Sequence, residues 1–217
     1  MSLYIDAHEK LAASELEDFC EYAELVDRLM HEHAGQHRSH VFATLESLTK
    51  AERVSYALDN FDQYEKLTDR FPNLQHASLL VLGYSLAESQ LVSISRRVLS
   101  ASGLGLTLKD LAGDSPLQKA RKCLTKIGRF DLAEETWLDL DAYRQLRNAV
   151  AHSGGHFPDD QVPPVVAKLM ARNSAITYTN HEGIALEIGY LSHLVGTLKD
   201  LQKSVFQEWR RRLTGAA

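Results

Sequence analysis

The chain has 217 residues and a mass of 24.3 kDa, enough for one large domain or one domain with an appendage. With 44% hydrophobic and 24% charged residues it has the balance of a soluble globule, which excludes intrinsic disorder, and five prolines and twelve glycines are scattered without the period of a collagenous or low-complexity chain. Basic residues number 24 and acidic residues 29, a formal charge of −5, so a broad basic face for coating nucleic acid is excluded and any such role falls to a few focused cations.

The N-terminal stretch MSLYIDAHEK is acidic and polar where a signal peptide is basic and then apolar, which predicts a cytoplasmic protein. Ala12, Leu16, Phe19, Ala23, Val26 and Met30 step by four and three, placing them on one face of a helix from about Ala7 to His33. A second helical stretch spans about Ser39 to Asp69, anchored by Leu45, Leu48, Leu58 and Phe61 and interrupted near Thr49. Phe71-Pro72-Asn73 then reads as punctuation, because proline disfavours helix in the residue before it and Asn73 can cap the next start. From Leu74 to about Ser100, Leu80, Tyr84, Ala87, Leu91, Ile94 and Val98 repeat the same step, and Leu79, Val81, Leu82 and Leu86 widen the apolar surface. This predicts a central helix buried on more than one side, stopped by Gly103 and Gly105. No run reaches the ~18 uncharged apolar residues of a membrane span, so insertion is not expected.

Ser115-Pro116-Leu117-Gln118 combines a serine cap, a proline at the first helical position and a glutamine three residues on, predicting a short helix that ends at Gly128. Thr136-Trp137-Leu138-Asp139 is a weaker cap and opens a helix extending to His152, terminated by Ser153-Gly154-Gly155. A loop at Phe157 to Pro164 leads to a short helix as far as Arg172, and Ile176–Thr179 with Ile184–Ile188 flanks a turn, predicting a small hairpin. Leu191, Val195, Leu198, Val205 and Trp209 mark a last long helix whose closing arginines, Arg210 to Arg212, suit its negative end. The expected fold is all-α, a helical bundle with an N-terminal helical hairpin or extension in residues 1–70, a main domain in 71–217 and one small β-hairpin. Cys20 and Cys123 lie far apart in separate helical patterns and read as two buried thiols in place of a disulfide or metal pair.

The stretch richest in chemistry is Tyr143 to Gly155. At 100° per residue, Leu138, Ala142, Tyr143, Leu146, Ala149 and Val150 share the core side of this helix, while Arg144, Arg147, Asn148 and His152 lie on the other half. Arg147 and His152 stand about 140° apart and flank that polar face. The helix dipole favours protonation of His152 in the last turn, which suits a general acid or base, and a guanidinium presents a planar fork to phosphate oxygens. Imidazole and guanidinium together form a minimal kit for attacking a phosphodiester. The competing reading of the same residues is a solvated helix face with a capping histidine.

Arg147-Asn148-x-x-x-His152, late in an all-α chain and followed by small residues, resembles the R-x4-6-H motif of the HEPN superfamily, and Tyr84-Ser85-Leu86-Ala87-Glu88-Ser89-Gln90-Leu91 is similar to an earlier HEPN helix whose carboxylate packs near the motif. The resemblance covers about Leu74 to Arg212 and makes residues 71–217 a HEPN-like domain. It implies a homodimer whose motif helices face each other across a cleft, and an endoribonuclease that needs neither metal nor cofactor. In that scheme the RNA 2′-hydroxyl attacks the adjacent phosphorus, leaving a 2′,3′-cyclic phosphate and a 5′-hydroxyl. His152 is then the acid or base, Arg147 the phosphate clamp and Asn148 an orienting hydrogen-bond partner, with Glu88 and Arg144 in support. The implied biology is a toxin, stress or defence effector, with an antitoxin or other regulatory protein as a partner. Gly154 stands where partner-modified HEPN toxins carry a tyrosine, so control by modification of that residue is not expected. The family also includes members without catalysis, which dimerise, bind nucleotides or sense.

Three other features are weaker. Glu88 borders the apolar face of its helix and needs a cation, for which Arg147 or Arg144 serves, favouring a structural ion pair over direct catalysis. His33, His37 and His40 have helical spacing for a metal, but Gly35 is expected to break the helix between them, and the cluster reads as a polar interhelical turn. Lys119, Arg121, Lys122, Lys126 and Arg129 form a cationic patch able to extend a phosphate-binding surface, with few aromatic neighbours for stacking bases.

Overall fold

A computed structural model describes residues 2–213. The fold is all-α with a single two-stranded antiparallel hairpin among the described residues. Helix α1 spans Ser2–Ser47, α2 Lys50–Glu65, α3 Phe71–Ser102, α4 Pro116–Lys122, α5 Glu134–Ser153 and α6 Pro164–Arg172; strands β1 (Ile176–Thr179) and β2 (Gly183–Leu186) follow, and α7 covers Gly189–Leu213.

Two corrections concern the first half of the chain. Helix α1 does not stop near His33: it runs 46 residues through Gly35 and turns only at Leu48-Thr49. Glycine costs about 1 kcal/mol relative to alanine inside a helix, and once nucleated a long helix propagates through one such residue. His33, His37 and His40 therefore lie on a continuous helix and form no interhelical turn. The second correction is at Phe71-Pro72, where the chain stays helical. A π-helical turn, Lys66–Arg70, widens the backbone just before Pro72, so the proline sits in the first turn of α3, where its missing donor and its ring are tolerated.

Ile5, Ala12, Leu16, Phe19 and Ala23 of α1 belong to one core with α3, α5 and α7. The distal half of α1 and all of α2 lie outside that core; α2 buries no residue, and Leu58 and Phe61, expected as anchors, are 72% and 64% exposed. Thr49 holds the turn between these helices, its backbone N–H and its hydroxyl both donating to the Glu52 carboxylate at 2.9 and 2.6 Å.

Helix α3 is central as expected, burying residues from His76 to Leu99 on more than one side. Phe19 and Leu194 approach it at Gly83, where a methyl group would stand 2.8 Å from the Phe19 ring. The helical run 50–102 is long and apolar enough to cross a membrane by length and composition, but 44% of its apolar window is buried inside the fold, as befits a core helix. Ser115 caps α4 as read, its hydroxyl accepting from Gln118 N–H at 3.2 Å; the Gln118 side chain reaches back to the N–H of Asp114.

Helix α5 begins at Glu134, earlier than Thr136 suggested, and Leu138 is 41% exposed while Trp137 and Asp139 are buried. The phase explains this: Leu138 lies about 80° from Leu146, at the edge of the buried face, and Asp139 lies about 20° from it, directly beneath. The hairpin pairs Ile176 with Leu186 through Thr179 with Gly183, and the Ile184 N–H donates to Gly155 O at 2.9 Å, seating β2 on the end of α5. Cys123 is buried, Cys20 half-buried, and both are free thiols whose pKa burial raises.

One polar clamp crosses the core. Buried His76 reaches Leu186 O with Nδ1 at 2.7 Å and the Asp27 carboxylate with Nε2 at 3.1 Å, joining α3 to the hairpin and to α1. Deleting it strands two acceptors in a region poor in water. His76→Ala is expected to destabilise the protein by about 2 kcal/mol, read as a lowered urea midpoint, with helical content retained before the transition.

Candidate active site

Helix α5 carries the motif residues because Ala142, Tyr143, Leu146 and Ala149 commit its other face to the core. Gly154, at φ 59°, ends the helix in the left-handed conformation, and its N–H returns to Ala149 O. His152 therefore stands in the last turn, exposed and without a hydrogen bond among the described residues.

Arg147 is held differently. Its side chain is 22% exposed, its guanidinium lies 4.9 Å from the centre of the Tyr84 ring, and its Nη2 stands 4.0 Å from Oε2 of Glu88, itself 21% exposed. The Tyr84 hydroxyl donates to Glu88 Oε1 at 3.3 Å, closing a three-residue cluster between α3 and α5. Cation, carboxylate and ring face thus satisfy one another. The Arg147 Nε atom is buried without an acceptor. Glu88 takes Arg147, one of the two partners expected for it; Arg144 goes elsewhere.

Arg144 donates to Asp141 at 2.8 Å and Gln145 to the other oxygen of that carboxylate at 2.7 Å. Asp141 sits in the middle of the polar face and neutralises part of its charge; the spacing of three and four residues that reveals such pairs on a helix is its signal in the sequence. Asn148 is half-buried and makes no hydrogen bond among the described residues. The fold thus brings Glu88, Tyr84 and Arg147 together but leaves His152 apart, about 140° round the helix and about 7.5 Å along it from Arg147.

A second polar cluster was not legible as a site. Asp139 is 6% exposed and pairs with Arg172 of α6, which also takes Glu135. His193 of α7 stands with Nε2 3.8 Å from Asp139 and Nδ1 2.9 Å from the Tyr143 hydroxyl. Asp139, His193, Thr136, Thr197 and Asp200 line an open cleft of about 340 Å³. This network ties three helices together, and its only sequence signal is a carboxylate at a core position of α5. In the cationic patch near α4, Arg121 is paired with Glu134. Among the described residues no group of three histidine, cysteine or carboxylate side chains is placed to hold a metal.

No family model, curated protein or solved structure matches this chain.

Burial pushes the phenol pKa of Tyr84, Tyr143 and Tyr190 well above the ordinary value of 10.0, with Glu88 adding to the effect at Tyr84 and Asp139 at Tyr143. The folded state therefore holds these protons more tightly than the unfolded chain does. The stability they carry is intact below about pH 10 and is lost progressively above it. Urea midpoints are expected to be lower at about pH 11 than at about pH 9, and Tyr84→Phe should reduce the difference.

Proposed function

We propose that this protein is a metal-independent endoribonuclease of HEPN type, working in the cytoplasm as a homodimer and serving as a toxin, stress or defence effector under a regulatory partner. The observation that carries this reading is the contrast on α5 between a guanidinium fixed by Glu88 and Tyr84 and an imidazole about one and a half turns further on that is exposed to solvent. A fixed cation suits a phosphate clamp, because nothing need reorganise as charge develops on the phosphoryl oxygens. A free imidazole suits proton transfer, since it can approach the 2′-hydroxyl of RNA as base or the departing 5′-oxygen as acid.

In the proposed step the 2′-oxygen bonds to phosphorus as the 5′-oxygen leaves, His152 taking up the 2′-hydroxyl proton and the resulting imidazolium returning one proton to the leaving oxygen. Because Arg147 and His152 of one chain diverge around α5, the reading places His152 of one copy opposite Arg147 of the other, with Asn148 orienting the phosphate between them. Glu88 positions Arg147, and Arg144 adds positive potential beside Asp141.

A second reading has its own observation. Arg147 and Arg144 are each already paired within the chain, which favours a non-catalytic helical module for dimerisation, nucleotide binding or sensing. One assay separates the two. Incubated with RNA and chelator, the intact protein is expected to yield cyclic-phosphate ends, and Arg147→Ala and His152→Ala should each lower cleavage by about 100-fold or more with circular dichroism unchanged. Equal activity in wild type and both variants would mark a contaminant, and absence of cleavage in all three would leave the non-catalytic module.

A further inference from the structure

The most exposed apolar surface among the described residues whose side chains form a regular pattern is on α2. Val54, Leu58 and Phe61 follow one another at intervals of four and three and are 62%, 72% and 64% exposed. They fall within about 60° of one another on the helix, on the side opposite the half-buried Tyr56 and Asn60. Sixteen residues ordered as a helix with none buried cannot repay their conformational entropy by packing within the chain. Such a stripe marks a surface that something covers.

We infer that the cover is α2 of a second copy, lying antiparallel across the stripe about a two-fold axis near Ala57 and Leu58. Two features of α2 single out its own copy. First, the stripe reads alike from either end: an antiparallel copy centred there sets Val54 against Phe61 and Leu58 against the Ala57 and Leu58 of its mate, which is the self-complementarity that a two-fold interface requires. Second, the basic residues Lys50 and Arg53 lie in the first turn, whereas Asp59, Asp62 and Glu65 lie in the second half. Antiparallel pairing brings Lys50, which has no ion pair among the described residues, to Glu65 of the other copy, while parallel pairing stacks like charges. Asp62 and Glu65 also meet Lys66 and Arg70 within the chain, at exposed positions where a carboxylate can serve two cations.

This contact uses neither α5 nor any motif residue; it is a second interface, separate from the α5 pairing of the nuclease reading, and is tested apart from it. Light scattering of the full chain at micromolar concentration should give an assembly that dissociates on dilution. Leu58→Asp with Phe61→Asp should halve its size, to the monomer where α2 makes the sole contact and to the α5 dimer where both contacts form, with the helical content of the wild type. As a check that does not add charge to the apolar stripe, Lys50→Glu and Glu65→Lys should each weaken the dimer several-fold, and the two together should restore it. A monomeric wild type, a double aspartate variant whose assembly matches the wild type in size, charge swaps that fail to compensate, or a stripe that binds phospholipid vesicles without self-association would each overturn the inference, whatever the RNA assay gives.

Discussion

The whole arrangement depends on one constraint: α3 is apolar on more than one side and must be covered on each. The first half of α1, together with α5 and α7, supplies that cover. The approach at Gly83, where Phe19 and Leu194 converge on bare backbone, is the tightest expression of it. Helix α5 and the hairpin are positioned by this demand. Helix α5 turns its small and aromatic residues inward to meet α3, and in doing so presents Arg144, Arg147, Asn148 and His152 outward. The hairpin is tied to α3 through the His76 clamp and to the end of α5 through Gly155.

The polar side of α5 illustrates how a helix distributes charge once its core face is fixed. Arg147 falls beside α3 and is absorbed by Tyr84 and Glu88. Arg144, further round, is paired with Asp141 of its own helix. His152, one residue from the end of α5, has no hydrogen bond or ion pair among the described residues. The chemical difference between the guanidinium and the imidazole is thus matched by a mechanical one, and both follow from angular position around a single helix.

Where periodicity and local chemistry agree, the sequence is easily read: the stripe of α1 from Ala12 to Ala23, the two-sided face of α3, the serine cap of α4, the glycine stop after α5 and the hairpin are all visible in it. The misreadings have common physical origins. Gly35 and Pro72 look like breaks because local preference is all that a short window reports, whereas the length of α1 and a widened turn before Pro72 override it. Leu58 and Phe61 look like core because apolar spacing says which residues share a face, and not whether that face is covered within the chain. Leu138 looked buried and Asp139 did not, because the inner position beneath Leu146 is occupied by a carboxylate whose partners, Arg172 and His193, arrive from distant segments. In the motif, residue types and faces were legible; the pairing of Arg144 with Asp141 was overlooked, and the separation of Arg147 from His152 followed from the helix itself.

The widened turn at Lys66–Arg70 has a structural corollary. By taking up an extra residue it uncouples the angular phase of α2 from that of α3, so the distal helices work as an outrigger whose orientation is adjusted at one joint. Such an appendage can be lengthened, shortened or re-aimed over evolutionary time by edits near the joint, while the interior that surrounds α3 keeps its own register untouched.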